Sequence, residues 1–296
     1  MSEKHPHPVA PLVIAAFAVT LCGLTPVATK IAVGVADPVL VGILRMTLAG
    51  AIAWPAIMLF GFAPPRDGRL LGLLAVSCVC GMILFPLLFT VGQRLTSASH
   101  AALILAAQPI FTGLIAAAVE RRLPPRTWWW GSLVALLGEA GLLFEHSSSA
   151  GGEATLLGDL VVLGSGIVAC GGYVAGGRLQ QASYPALASS SWGAAIASLV
   201  LAPAIPFLAT LTELAAIPTL AWVAVLQLAL GSSILAYAAW YWALGMGGIG
   251  RIGVMQFFQT PVGVAVAILF LGEPLTLSLL LSAAAILAGV YVAQRR

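Results

Sequence analysis

The chain has 296 residues, 60% of them hydrophobic and only 8% charged, with a formal net charge of +3. A soluble domain carries about a quarter charged residues. So few charges cannot cover a water-facing surface, so lipid is the expected solvent for most of the exterior. The net charge is spread along the chain and is too small to argue for a nucleic-acid partner.

From Val9 an apolar run continues through Ala28. That is too long for the apolar core of a signal peptide. Leu21 also stands where a lipoprotein box would need a small residue before Cys22. A retained first span is expected. A spanning helix needs about 20 mostly apolar residues, and ten stretches qualify: roughly 10–33, 38–60, 70–91, 97–119, 127–145, 156–177, 185–208, 219–243, 250–271 and 275–293. The breaks between them carry turn residues, as at Ala36-Asp37-Pro38, Ala63 to Asp67, Arg121 to Arg126, Ser147 to Gly152, Ser183-Tyr184-Pro185 and Glu213 to Pro218. The last two breaks are marked by Gly245 to Arg251 and by Gly272-Glu273-Pro274.

Basic residues orient the spans. With the N-terminus in the cytoplasm, the cytoplasmic segments hold Lys4, Arg66, Arg69, Arg121, Arg122, Arg126, Arg178, Arg251, Arg295 and Arg296, and the other side holds Arg94 alone. Lys30 and Arg45 fall within or near the ends of spans. The bias supports an even span count with both termini cytoplasmic, in a multi-pass inner-membrane protein. Cys22, Cys78, Cys80 and Cys170 all sit inside apolar stretches, which suits small buried hydrophobes rather than disulfide or metal chemistry. No metal and no cofactor is expected.

The halves resemble each other. Cys22-Gly23 precedes Lys30 as Cys170-Gly171 precedes Arg178, at an offset of 148. Spans four and nine carry Pro109 and Pro261 near mid-length, preceded by Gln108 and Gln259, and end in Glu120 and Glu273. Two repeats follow, residues 1–148 and 149–296. Each holds five spans, and an odd number inverts the second relative to the first. Inverted repeats are a transporter signature, because related halves can exchange inward-open and outward-open states.

Several stretches carry a family resemblance: Thr25-Pro26-Val27-Ala28-Thr29-Lys30-Ile31-Ala32, Arg45, Leu95 to Ala102 leading into Gln108-Pro109, and Phe270-Leu271-Gly272-Glu273-Pro274-Leu275-Thr276. Over nearly its whole length the chain resembles the drug/metabolite transporter superfamily, EamA type, and within it the aromatic amino-acid exporters of the YddG type. The resemblance implies an all-α integral membrane fold of ten transmembrane helices, built as two inverted five-helix repeats. It places the substrate path between spans 1–4 and 6–9, leaves spans 5 and 10 peripheral, and implies export of amino acids or related metabolites.

Gly245 to Gly250 matches GxGxxG, but a dinucleotide fingerprint needs a preceding strand, and a membrane span precedes it here. A tight turn explains these glycines. Gly172 and Gly176 form a small-xxx-small motif suited to close helix approach. Pro26, Pro86, Pro109 and Pro261 interrupt spans, and each removes a backbone hydrogen bond. Pro109 and Pro261 are read as paired hinges, against fixed kinks. Charges at membrane depth are usually functional, so Lys30 and Arg45 are candidate receivers of a substrate carboxylate, with snorkelling to the surface as the alternative. Glu139 is expected as an intrabundle or near-surface acid, Asp159 as interfacial, and no acid falls at mid-depth in spans 1–4 or 6–9.

Trp128-Trp129-Trp130 reads as an interfacial belt. Tyr237, Trp240, Tyr241 and Trp242 read as a belt or as a stacking wall, with Tyr173 and Trp192 as further flat surfaces. Gln108, Gln256 and Gln259 can supply neutral hydrogen bonds that orient a ligand. His100 with Ser97 and Ser99 lacks a nearby acid, so an intramembrane enzyme is disfavoured. A channel is disfavoured for want of a filter motif. No catalytic residue is assigned.

The expected function is therefore secondary transport by alternating access, exporting neutral amino acids with large apolar or aromatic side chains. The alternative is export of organic anions, phosphorylated metabolites or lipophilic drugs. The expected partners are a small-molecule substrate and the lipid bilayer. A monomer is expected, with a dimer as the alternative. An impermeant thiol reagent added outside should label a cysteine placed in the Ser147–Gly152 loop and spare one placed in the Arg121–Arg126 loop. The reverse pattern would overturn the orientation.

Overall fold

The computed structural model describes residues 9–95, 104–105, 107–147, 156–259, 261–262 and 277–295. Among the described residues the chain is helical, with no strand. Several features of the sequence reading lie outside these residues: the first part of the fourth span with His100, the loop 148–155, and the Phe270–Thr276 motif with Glu273. The Glu139 side chain is also outside the description.

Helix α1 runs Ala10–Val33 with a break at Leu24, α2 is Pro38–Phe60, and α3 is Gly68–Leu95. Then come α4, Gln108–Glu120, α5, Arg126–Ser147, α6, Leu156–Gln181, and α7, Ala186–Leu208. A short helix, Leu211–Ala216, precedes α8, Thr219–Gly247. Helix α9 starts at Ile249–Gly253 and tightens to 3-10 geometry over Val254–Phe258, and α10 is Leu277–Gln294. Six of these, α1, α2, α3, α6, α7 and α8, are long and apolar enough to cross a membrane on the described residues. Their outer faces expose apolar side chains such as Phe17, Leu59, Leu160, Leu199 and Val223, as lipid contact requires.

Local signals set the helix ends. Asp37 caps α2, its Oδ1 accepting from the amides of Val39 and Leu40, with Pro38 in the first turn. Gly61, at φ 63°, closes the helix in the left-handed region, which glycine adopts without a Cβ clash. Asp67 caps α3 through the Arg69 amide. Outside the spans, Thr210 and Glu213 form a capping box, and the Thr210 backbone amide and hydroxyl hold the Glu213 carboxyl below its usual range.

Five helices depart from α geometry within their lengths; two of them tighten to 3-10 turns, α7 at Ala202–Ala204 and α9 at Val254–Phe258. In α1 the ladder breaks at Leu24, just before Pro26, which has no N–H to give. In α3 a π-helical stretch, Ser77–Leu84, precedes Phe85-Pro86, and the Phe85 amide reaches back five residues to the Cys80 carbonyl. In α8 a π stretch spans Gln227–Ala236, and the Ser233 hydroxyl donates to the Leu228 carbonyl at 2.9 Å. The π stretches of α3 and α8 fall at corresponding places in the two halves.

Small residues set the packing. A Cβ on Gly131 would meet the Ala293 backbone and the Gly289 carbonyl, and one on Gly289 would meet the Ala135 backbone and the Gly131 carbonyl. The pairings 131 with 293 and 135 with 289 run in opposite directions, so α5 and α10 pack antiparallel through reciprocal Gly-xxx-Ala faces. Helices α2 and α7 are likewise antiparallel: Gly50 lies on Ser198, and Trp54 meets Trp192 edge-on at 6.0 Å. The sequence-identified Gly172 and Gly176 both serve close approach. Gly172 faces the backbone of Gly81 in α3, and Gly176 lies under the Tyr241 ring of α8.

A Cβ on Gly172 would stand 2.8 Å from the Gly81 nitrogen, whereas one on Gly164 in the same helix would meet nothing within 4 Å. Overpacking of this kind destabilises by about 1–3 kcal/mol. Gly172→Ala should therefore lower the melting temperature of the purified protein clearly, while Gly164→Ala leaves it unchanged or raises it. Equal melting of the two variants would contradict the packing.

Candidate functional site

Two adjoining chambers lie in the middle of the bundle. The first is lined by Cys22, Thr25 and Pro26 of α1, Arg45 of α2, Phe85 and Phe89 of α3, Leu105, Gln108 of α4, Tyr173 of α6, Ser232 and Tyr237 of α8, and Gln259. The second is lined by Val19 and Cys22, Tyr173, Ala236, Tyr237 and Trp240, and by Gln256 and Gln259. Cys22, Tyr173, Tyr237 and Gln259 belong to both and form the wall between them. Among the described residues, none of α5, α7 or α10 lines either chamber.

The chemistry of the first chamber centres on Arg45, which is 1% exposed. It lies seven residues into α2, so about 10 Å along the axis from the helix start, too deep to snorkel. Its Nε donates to the Ser233 hydroxyl at 2.8 Å, and Nη1 has no hydrogen-bond partner. Its neighbours are phenols, a thiol and hydroxyls, and among the described residues no carboxylate pairs with it. The π stretch of α8 places Ser232 and Ser233 side by side: Ser232 meets the Thr25 hydroxyl at 2.8 Å, and Ser233 holds Arg45. A buried guanidinium with an unspent N–H beside a cavity is a receptor for a planar anion, above all a carboxylate.

The wall is aromatic. Tyr173 and Tyr237 have ring centroids 5.6 Å apart, Tyr173 and Trp240 6.1 Å, and Phe85 and Phe89 stack at 5.4 Å. The Tyr237 hydroxyl donates to the Gly81 carbonyl at 2.9 Å, which pins the ring across the π stretch of α3. Gln256 Nε2 donates to Gln108 Oε1 at 3.0 Å, leaving Gln108 Nε2 and Gln256 Oε1 buried without partners. The sequence matched Gln108 with Gln259 through the neighbouring prolines, whereas the amide bond is made to Gln256. Pro109 sits in the first turn of α4, directly after Gln108.

Six of the nine sequence candidates therefore meet at these chambers: Arg45, Gln108, Tyr173, Tyr237, Gln256 and Gln259. The other three lie elsewhere. Lys30 is exposed near the end of α1. Trp192 donates its indole N–H to the Phe62 carbonyl at 3.2 Å. Tyr241 is buried beyond the chambers, where its hydroxyl accepts from Ser77 at 2.8 Å. Tyr237, Trp240 and Tyr241 are all buried and so form no interfacial belt; Tyr237 and Trp240 line the chambers, and Tyr241 does not. The Trp128–Trp130 belt needs one correction. Trp129 and Trp130 are exposed, but Trp128 is 2% exposed, packs on Gly113 and donates to the Gly250 carbonyl. Sequence reasoning missed Cys22, Thr25, Phe85, Phe89, Ser232 and Ser233. The signal available was the Ser232-Ser233 pair inside a long apolar span.

The helical membrane architecture and a central polar cleft walled by aromatic residues define a transporter. Comparison with known proteins agrees. The pattern of the EamA-like transporter family matches twice, over residues 10–144 and 156–294, and the chain belongs to that family. It is a multi-pass membrane transporter and not an enzyme. It is 28% identical to the "Uncharacterized transporter YdeK" of Bacillus subtilis over 272 residues, covering 90% of this chain and 91% of the relative. It is 29% identical to a "Probable amino-acid metabolite efflux pump" of Salmonella typhimurium over 291 residues, covering 94% and 93%. A "Probable terminal-alkyne amino-acid exporter" of Streptantibioticus cattleyicolor is 27% identical over 252 residues, covering 85% and 82%. A solved crystal structure, 20% identical, superposes with a TM-score of 0.74 over 97% of this chain and 98% of its own, a likeness of fold.

Removing the Ser233 hydroxyl leaves a buried guanidinium N–H unmet, which costs about 1–3 kcal/mol. Ser233→Ala should lower stability by that amount in the wild-type background and by much less in the Arg45→Met background. A double-mutant cycle read by thermal denaturation measures the difference. Additive effects would mean that the bond is not formed.

Proposed function

We propose that this protein is a secondary transporter that exports neutral amino acids with large apolar or aromatic side chains, and related small metabolites, by alternating access. The observation that carries the proposal is Arg45: a buried cation with an unspent donor, in a cleft whose other described walls are uncharged and include the rings of Phe85, Phe89, Tyr173 and Tyr237. Its charge is costly to bury alone, and a substrate carboxylate would neutralise it. The amino group of a zwitterion would find acceptors in Gln256 Oε1 and Gln259, and an apolar side chain would find Tyr173, Tyr237 and Phe89. Among the described residues no second Lys or Arg lines either chamber, whereas a phosphorylated metabolite would call for one. The names of the Salmonella and Streptantibioticus relatives point the same way.

The proposal extends to architecture. Ten transmembrane helices form two inverted five-helix repeats, 1–148 and 149–296, in the inner membrane with both termini cytoplasmic. The double family match and the antiparallel pairing of α5 with α10 and of α2 with α7 support the inversion. The chambers are narrow, so a substrate enters only when the halves part. Pro109 and Pro261 serve as hinges for that motion. The protein works as a monomer in the lipid bilayer, without a cofactor or nucleic acid.

Uptake into liposomes carrying the purified protein tests the reading. Labelled phenylalanine and methionine should be carried, and their methyl esters, which lack the carboxylate, should not. Arg45→Met should weaken apparent affinity by about tenfold or more, as expected for a lost charge-assisted bond. Pro261→Ala should slow turnover while leaving substrate binding nearly intact. Carriage of a sugar phosphate or a lipophilic cation in place of the amino acids would overturn the substrate and leave the fold standing.

A further inference from the structure

Two residues that line the second chamber, each more than nine-tenths buried, carry a polar atom without a hydrogen-bond partner. One is the indole Nε1 of Trp240, 3% exposed, which can only donate. The other is Oε1 of Gln256, 6% exposed, which can only accept. With Gln256 Nε2 donating to Gln108 Oε1 at 3.0 Å, Oε1 is the Gln256 atom left to accept. Trp240 is held edge-on against Tyr173 at 6.1 Å. Both residues line one small chamber whose remaining walls are Val19, Ala236, Cys22, Gln259 and the Tyr173 and Tyr237 rings, the last four shared with the first chamber. Its space is on the order of a single hydroxyl group or water.

A fixed donor and a fixed acceptor in one hydroxyl-sized chamber complement a group that accepts and donates at a single atom. We infer that the second chamber is a specificity subsite for the tip of the substrate side chain, and that it selects a hydroxyl. This rests on the amino-acid reading of the first chamber. With the carboxylate on Arg45, the substrate ring lies along Tyr173 and Tyr237, the wall common to both chambers, and the tip reaches Trp240 and Gln256. Among aromatic amino acids, tyrosine carries the matching phenol. Phenylalanine has the same outline and leaves both buried atoms unmet. A site built to bond a hydroxyl rejects the analogue without it, because its own polar groups are then left unpaired.

The test uses the full-length protein in liposomes and compares tyrosine with phenylalanine by competition in each variant. The ratio of apparent affinities is read, so a general loss of folded protein cancels. The wild type should favour tyrosine by about tenfold, the equivalent of one buried hydrogen bond. Trp240→Phe removes the donor and keeps a ring. Gln256→Met removes the acceptor and keeps the length. Each should bring the ratio close to one. Equal affinities in the wild type, or an unchanged preference in both variants, would overturn the subsite while leaving the amino-acid reading intact. Carriage of neither amino acid would overturn both.

Discussion

In a bilayer core no water is present to satisfy a backbone amide or carbonyl that the helix leaves free. That constraint sorts this molecule. Regular α-helix faces lipid, and departures from it are tolerated where they are buried in protein or line a cavity. The break at Leu24 lies between Cys22 and Thr25, both chamber residues. The π stretch of α3 ends beside Phe85, and that of α8 carries Ser232. The 3-10 stretch of α9 presents Gln256. Each of these four irregularities borders the same pair of chambers, while the 3-10 turn of α7, Ala202–Ala204, lies away from them and has no buried residue. Each also widens or tightens its helix locally, so the rotational position of the following residues is reset. In α8 that reset puts two adjacent serines to separate uses, one toward α1 and one toward α2.

The second requirement is close approach without a hydrophobic effect to drive it. Lipid tails are as apolar as leucine, so helix pairs rely on packing contact. Glycine supplies that contact where a Cβ would strike backbone, as between α3 and α6 at Gly172 and between α5 and α10 at Gly131 and Gly289. The α5–α10 pair uses the same Gly-xxx-Ala pattern from both sides and, among the described residues, contributes nothing to the chambers. It holds the two family-matched segments together at their last helices and leaves the others to build the cleft. An interface of small side chains has few interdigitating knobs to unlock, which suits helices that must shift against one another.

Much of this was legible in the sequence, and the failures have physical causes. Hydropathy and punctuation marked the six helices that are long and apolar enough to cross a membrane on the described residues, because lipid demands a continuous apolar run. Asp37-Pro38 and Gly61 bound α2 as their chemistry dictates. Arg45 was legible because an ionised group deep in an apolar span needs a reason. Lys30 carried the same signal but lies close to a helix end, where its side chain reaches the surface. Depth, more than charge, separates the two. Tyr241 and Tyr237 share a face by spacing, yet Gly176 lets α6 cover Tyr241 while Tyr237 stays at the cleft. That distinction depends on a neighbour far away in sequence. Ser232 and Ser233 escaped notice because hydroxyls bond back to their own helix at little cost, and because a π turn is not written in any residue type.

The electrostatics of the cleft narrow what can pass through it. One buried cation without a described carboxylate partner leaves the empty site with an uncompensated charge. Pairing removes that penalty only while an anionic group is bound. A dicarboxylate would overcompensate it, and a cation would repel it. A zwitterion brings one carboxylate to pair with Arg45 together with an ammonium that neutral acceptors can solvate at short range, so the guanidinium is paired although the net charge of the cleft is unchanged. The uncharged aromatic wall sharpens this, since phenols and indoles give a low-dielectric surround in which an unpaired charge is expensive. On the proposed reading, a carboxylate paired with Arg45 lowers the cost of closing protein around the buried guanidinium, and an empty site keeps that cost.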